Sequence, residues 1–166
     1  MIRFADLAIS PWRNNLGRKA DIATGPGWLL GFAFLDGDAA FSDYTGQDRT
    51  ITLLEGAGFV LDGAAGSAVV VDRLHRPTPF DGGWPCRCRL LSGPCVVLNA
   101  ISERARWSHA VTITGQPPDA GFAVLLSGTA ALADGGRLGP RDAVALPASL
   151  VAGPGAVLAA ARFDPR

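Results

Sequence analysis

The sequence predicts an all-β chain built as two barrel-like halves, on three observations. First, 21 Gly and 12 Pro among 166 residues leave few segments able to hold a helix longer than two turns. Second, the runs between them are short and rich in Val, Leu, Ile and Phe, the pattern of a sandwich or barrel. Third, one segment repeats without a gap. Leu53-Leu54-Glu55-Gly56-Ala57-Gly58-Phe59-Val60-Leu61-Asp62-Gly63 and Leu125-Leu126-Ser127-Gly128-Thr129-Ala130-Ala131-Leu132-Ala133-Asp134-Gly135 share both leucines, the central Gly and the closing Asp-Gly. Each copy reads as a strand, a tight Gly turn, a strand and an Asp-Gly turn, with Gly where φ turns positive.

The elements follow in order. Strands are expected at Phe4–Ile9, Lys19–Thr24, Trp28–Leu35, Arg49–Leu54, Gly58–Leu61, Ala68–Asp72 and Cys86–Leu91. A second series is expected at Val96–Ile101, Trp107–Thr114, Phe122–Leu126, Ala130–Ala133, Ala143–Leu146 and Val157–Phe163. The Ala-rich run at 156–161 has helical propensity, but Gly153-Pro154-Gly155 before it and Arg162-Phe163-Asp164-Pro165 after it favour a closing strand. Arg73-Leu74-His75-Arg76-Pro77 and Gly63-Ala64-Ala65-Gly66 read as loops. The expected division is residues 1–91 for the first half and 92–166 for the second, packed as one compact unit.

Bulk properties exclude several function classes. Fifteen Lys and Arg balance fifteen Asp and Glu, so no basic surface argues for nucleic acid. No apolar run approaches the roughly 18 residues of a membrane span, and no leader pattern opens the chain, which points to a cytoplasmic protein. Cys86, Cys88 and Cys95 are odd in number and fit free thiols better than a disulfide framework. No Gly-x-Ser-x-Gly elbow, phosphate loop or dinucleotide fingerprint occurs.

The repeated hairpin resembles the cupin signature, and Gly139-Pro140-Arg141-Asp142-Ala143-Val144-Ala145-Leu146-Pro147 continues in that style. The resemblance implies a tandem double-stranded β-helix, that is, a bicupin of two jelly-roll-like barrels. Many cupins hold a metal on two His, a Glu and a further His. Here the spacing between Gly37 and Gly56 puts Asp43 and Thr45 in the His slots and Arg49 in the Glu slot. The second-copy equivalents are Gly115, Pro117 and Gly121, which offer no side-chain ligand. Neither a metal nor another cofactor is therefore expected, and His75 and His109 read as surface or core residues.

A guanidinium in a carboxylate slot reverses the charge logic, because it presents a fixed positive fork suited to an anion. Alternation along Arg49–Leu54 puts Arg49 on one face with Ile51 and Leu53, the face turned toward the barrel interior. Asp48 falls on the opposite face. Arg49 is then expected near the barrel mouth, within reach of Asn14, Asn15 or Asn99.

Several segments together resemble the HutD/Ves family of small bicupins. They are Ser10-Pro11-Trp12-Arg13-Asn14-Asn15-Leu16-Gly17, Phe41-Ser42-Asp43-Tyr44-Thr45-Gly46-Gln47-Asp48-Arg49, Phe80-Asp81-Gly82, Leu91-Ser92-Gly93-Pro94, and Leu98-Asn99 with Arg104 following. The chain departs from the family pattern at Arg13, Asn15, Leu16, Lys19, Asp21 and Leu98. The resemblance implies ligand sensing or regulation in histidine utilisation, with intermediates such as urocanate or formylglutamate as ligands. The expected function is a metal-free binder of a small anionic metabolite, a carboxylate, with Trp12, Arg13, Asn14, Asn15, Arg49, Asn99 and Arg104 as ligand-binding residues and no catalytic residue. The alternative is a metal-independent cupin enzyme of isomerase or lyase type, drawing its base from His75, Asp43, Glu55 or Tyr44. A homodimer is left open.

Overall fold

The computed structural model describes residues 1–63 and 66–166, so part of the expected 63–66 loop lies outside the described residues. Among the described residues there are seventeen strands: β1 (Ile9–Pro11), β2 (Arg18–Gly25), β3 (Trp28–Leu35), β4 (Ala39–Ala40), β5 (Gln47–Glu55), β6 (Phe59–Asp62), β7 (Ala68–Val71), β8 (Pro77–Asp81), β9 (Arg87–Leu90), β10 (Cys95–Glu103), β11 (Trp107–Thr114), β12 (Gly121–Ser127), β13 (Ala130–Leu132), β14 (Arg137–Leu138), β15 (Ala143–Leu146), β16 (Leu150–Ala152) and β17 (Val157–Pro165). The first barrel pairs a six-stranded sheet, β1-β2-β3-β10-β5-β8, with a four-stranded sheet, β4-β9-β6-β7. The second pairs β11-β17-β12-β15 with β14-β13-β16. This is the tandem double-stranded β-helix that the repeat predicts. No helix among the described residues is long and apolar enough to cross a membrane.

Three expectations are revised. Phe4–Asp6 is a short 3-10 turn, and the strand begins only at Ile9. Phe4 leaves the ladder because its N–H is taken by Asp142 Oδ1 at 2.9 Å and its ring packs edge-on against Phe32 at 5.0 Å. The boundary at 91/92 also moves. Strand β10 pairs antiparallel with both β3 and β5, so it closes the first barrel although it lies beyond residue 91. Finally, β8 forms in a segment whose prolines argue against a strand. It is an edge strand, where a residue without an N–H costs the ladder nothing on its open side.

The two repeat copies occupy matching places. Gly56 has φ 102° and Gly128 has φ 80°, both in the left-handed region. Each ends the central strand of its hairpin and presses against the start of the returning strand. A Cβ on Gly56 would stand 2.5 Å from Pro94 O and 2.6 Å from Cys95 Sγ; one on Gly128 would stand 2.7 Å from Ala156 Cα.

Alternation divides the six-stranded sheet between two cores. Ala33, Leu35, Ile51, Leu53, Cys95 and Val97 fill the first barrel. Leu30, Phe32, Leu98 and Ala100, one residue out of phase, face a seam with the second barrel, where they meet Val124, Ala143, Ala159 and Ala161. A histidine bridges the seam between strands of the two barrels. Thr50 Oγ1 lies 2.9 Å from His109 Nε2, and Ser102 Oγ lies 2.7 Å from His109 Nδ1. Burial pushes the His109 ring below its usual value, against a smaller opposing pull from Asp48.

Gly56→Ala is expected to lose at least about 1 kcal/mol, since it combines a strained φ with a backbone clash, and urea denaturation measures the loss. For His109 the sign follows from its lowered value. As pH falls below about 6.5 the unfolded chain takes up a proton before the folded chain does, so stability declines through that window and is level above it. His109→Gln is expected to flatten the decline, read as melting temperature against pH.

Candidate functional site

The interior of the first barrel holds a small cavity of about 30 Å³ that opens partly to solvent. Its lining includes Trp12, Lys19, Asp21, Ser42, Tyr44, Arg49 and Asn99. Strand β5 delivers Arg49 to the inner face, and the guanidinium is buried, with the residue only 6% exposed. No carboxylate among the described residues pairs with it. Its Nη2 donates to Asn99 Oδ1 at 3.4 Å, a long bond, and its Nε has no partner. Three aromatic rings surround it instead: Phe80 at 4.9 Å, Phe41 at 5.0 Å and Tyr44 at 5.1 Å from ring centroid to guanidinium carbon. Their π faces supply part of the missing negative potential. Loss of hydration still lowers the Arg49 pKa to about 10, which leaves it charged at neutral pH.

Two more residues that line this cavity carry a buried polar atom with no partner among the described residues: Asp21 Oδ1 and Ser42 Oγ. Asp21 uses its other oxygen to accept from Lys19 Nζ at 2.6 Å. An unpaired buried donor and two unpaired oxygens around one small space are costly unless something fills it.

The sequence-derived residues divide sharply. Trp12, Arg49 and Asn99 line the cavity. Arg13, Asn14, Asn15 and Arg104 do not, and each has structural work elsewhere. Arg13 lies over the Tyr44 ring at 5.1 Å and donates to Asp43 O at 3.4 Å. Asn14 Nδ2 donates to Ala40 O at 2.9 Å, and Asn15 takes a left-handed φ of 58° in the turn. Arg104 forms an exposed pair of bonds to Asp48 and Asp81 at 2.7 and 2.8 Å. The slot assignment is revised too. Asp43 Oδ1 accepts from Thr45 N and Oγ1 at 2.8 and 2.7 Å in an exposed turn, so neither residue lines the cavity. Their alternates Ser42 and Tyr44 do.

The base candidates are similarly dispersed. Glu55 pairs with Arg141 outside the barrel, and His75 lies beside Phe4 and Arg141 in a separate hollow. Of the four, Tyr44 alone reaches the cavity. Lys19, Asp21, Ser42, Phe41 and Phe80 were not predicted as site residues. The Lys19 and Asp21 departures from the family pattern were the available signal for that pair. The three cysteines are free and buried in the first barrel, and burial pushes the Cys88 thiol up to about 12.

The HutD family model matches residues 4–138. The chain belongs to the HutD family. Among its HutD-type relatives, Protein Ves of Citrobacter koseri is 29% identical over 114 residues, covering 64% of this chain and 59% of that protein. An uncharacterized 21.2 kDa protein in the hutC 3′ region of Pseudomonas putida is 30% identical over 120 residues, covering 64% of this chain and 60% of that protein. The match thus spans less than two thirds of either relative. The solved HutD of Pseudomonas fluorescens SBW25, in a formate condition, superposes with a TM-score of 0.77 at 22% identity, covering 99% of this chain and 97% of that one. A conserved protein of unknown function from Pseudomonas aeruginosa PAO1 gives 0.81 at 24% identity, with the same coverages. Both share the fold of this chain over nearly its whole length.

Because Arg49 has no acid to pair with, Arg49→Met is expected to leave the unliganded protein as stable or up to about 4 kcal/mol more stable. Chemical denaturation measures this, and a loss of several kcal/mol would mark the guanidinium as a structural tie.

Proposed function

We propose that this protein binds a small carboxylate at Arg49 and serves as a sensor or regulator in histidine utilisation. The observation that carries the reading is a buried, unpaired guanidinium with a free Nε in a small cavity. A carboxylate supplies two acceptors in the geometry of that fork and neutralises a charge that the fold leaves unmatched. The same charge disfavours a metal. A cation in this cavity would sit against Arg49, with Asp21 as the one lining carboxylate and that already bound to Lys19. The histidine-utilisation context draws support from the hutC-region relative and from family membership.

The test is a thermal-shift screen of the full chain with short carboxylates, urocanate and formylglutamate. A specific ligand at 100 times its Kd is expected to stabilise by about 2.7 kcal/mol. Arg49→Met is expected to abolish that shift. A shift that survives the substitution would place binding elsewhere, and no shift with any carboxylate would remove the reading.

A further inference from the structure

A carboxylate at Arg49 leaves the unpartnered acid oxygen beside it unexplained. Asp21 Oδ1 is a buried acceptor with no donor among the described residues, and Asp21 lines the same cavity as Arg49. An anion alone would not relieve it, since two negative groups would then face each other.

The register of the sheet shows what lies between them. Asp21 on β2 pairs with Gly31 on β3, Gly31 pairs with Asn99 on β10, and Asn99 pairs with Ile51 on β5. These four residues form one cross-strand row, and all four line the cavity. Gly31 contributes no side chain, so a slot opens over it, between Asp21 on one side and Asn99 on the other. Neighbouring strands lie about 4.8 Å apart, so Asp21 and Asn99 stand roughly 10 Å apart at the backbone, and their side chains narrow the slot from both ends. A Cβ at position 31 would come within 3.2 Å of Asp21 Oδ1 and 2.8 Å of Ala20 O. The floor is therefore closed to any larger residue.

The two ends of the slot differ in chemistry. At one end Asn99 Oδ1 is committed to Arg49 Nη2, which leaves the Asn99 amide nitrogen and the unpartnered Nε of Arg49 as donors. At the other end Asp21 Oδ1 can only accept, and Lys19 holds its partner oxygen in place. Two cations and one acid line the cavity, which leaves one positive charge to be matched.

Resting on the carboxylate reading, we infer that the slot over Gly31 selects a short monocarboxylate carrying a hydroxyl or N–H donor next to the carboxylate. The carboxylate lies on Arg49 and the Asn99 amide, and the donor bonds to Asp21 Oδ1. A dicarboxylate of the same length is disfavoured, because its second anion would face Asp21. Asp21 acts as the specificity-determining residue and Arg49 as the anchor.

Isothermal titration of the full chain with acetate, glycolate and methoxyacetate tests this. Glycolate adds the donor. Methoxyacetate keeps the oxygen and loses the proton. Glycolate is expected to bind about tenfold more tightly than acetate, as one hydrogen bond to a charged acceptor provides. Methoxyacetate is expected to bind more weakly than acetate, because it turns an acceptor toward Asp21. Asp21→Ala is expected to bring glycolate down to the acetate level without weakening acetate. The wild-type ligand order stands as a test even if that variant fails to fold. Equal binding of all three acids, still lost in Arg49→Met, would overturn the Asp21 inference and leave the carboxylate reading intact, with the space beside Asp21 left to water. Binding of none of them, or binding indifferent to Arg49→Met, would overturn both.

Discussion

Antiparallel pairing of β10 between β3 and β5 is the constraint on which the rest of the molecule depends. It makes the six-stranded sheet continuous, and both faces of its centre are covered. Each strand must then alternate between two destinations. On β5, Arg49 and Ile51 go to the cavity while Thr50 goes to the seam, where it meets His109. On β10, Asn99 goes to the cavity while Ser102 reaches the opposite side of the same imidazole. A shift of one residue in the register would exchange polar cavity groups for seam groups along the whole strand. The cavity and the seam are therefore specified together by one register.

That double burial explains how a guanidinium can be held without an acid. A carboxylate next to Arg49 on β5 points to the wrong face, as Asp48 does when it bonds Arg104 outside. The core beneath the cavity is filled by Leu, Ile, Val, Ala, Phe and Cys side chains. Aromatic faces from Phe41, Tyr44 and Phe80 are compatible with that core and still favour a cation. The arrangement holds a charge in an apolar interior while leaving one edge of the fork open.

Much of the fold was legible in the chain. The Gly56 and Gly128 repeat, the alternating runs and the proline spacing all led to two barrels, and the inward face of Arg49 followed from alternation alone. The misses have physical causes. Pairing partners are not encoded by local pattern, so β10 was assigned to the wrong half. Asp43 and Thr45 were placed by spacing to a motif, but an Asx turn before β5 redirects both. Arg13, Asn14, Asn15 and Arg104 all stand in or beside family-like segments, but their polarity serves turns and surface ion pairs. Phe80 stands in a family-like segment, but Pro77 and Pro79 just before it read against the strand that turns it inward.

Those two prolines have a consequence of their own. In the β5–β8 register Pro79 stands opposite Thr50 and Pro77 opposite Thr52. A proline fits such a ladder only where its N–H would have pointed away from the partner strand, toward the open edge. At those two positions the rim of the sheet therefore offers carbonyl oxygens and no amide hydrogen. A stray strand arriving there would find acceptors without matching donors and could not zip on. The largest sheet of the protein is thereby guarded against recruiting another chain along this edge, a common route to aggregation.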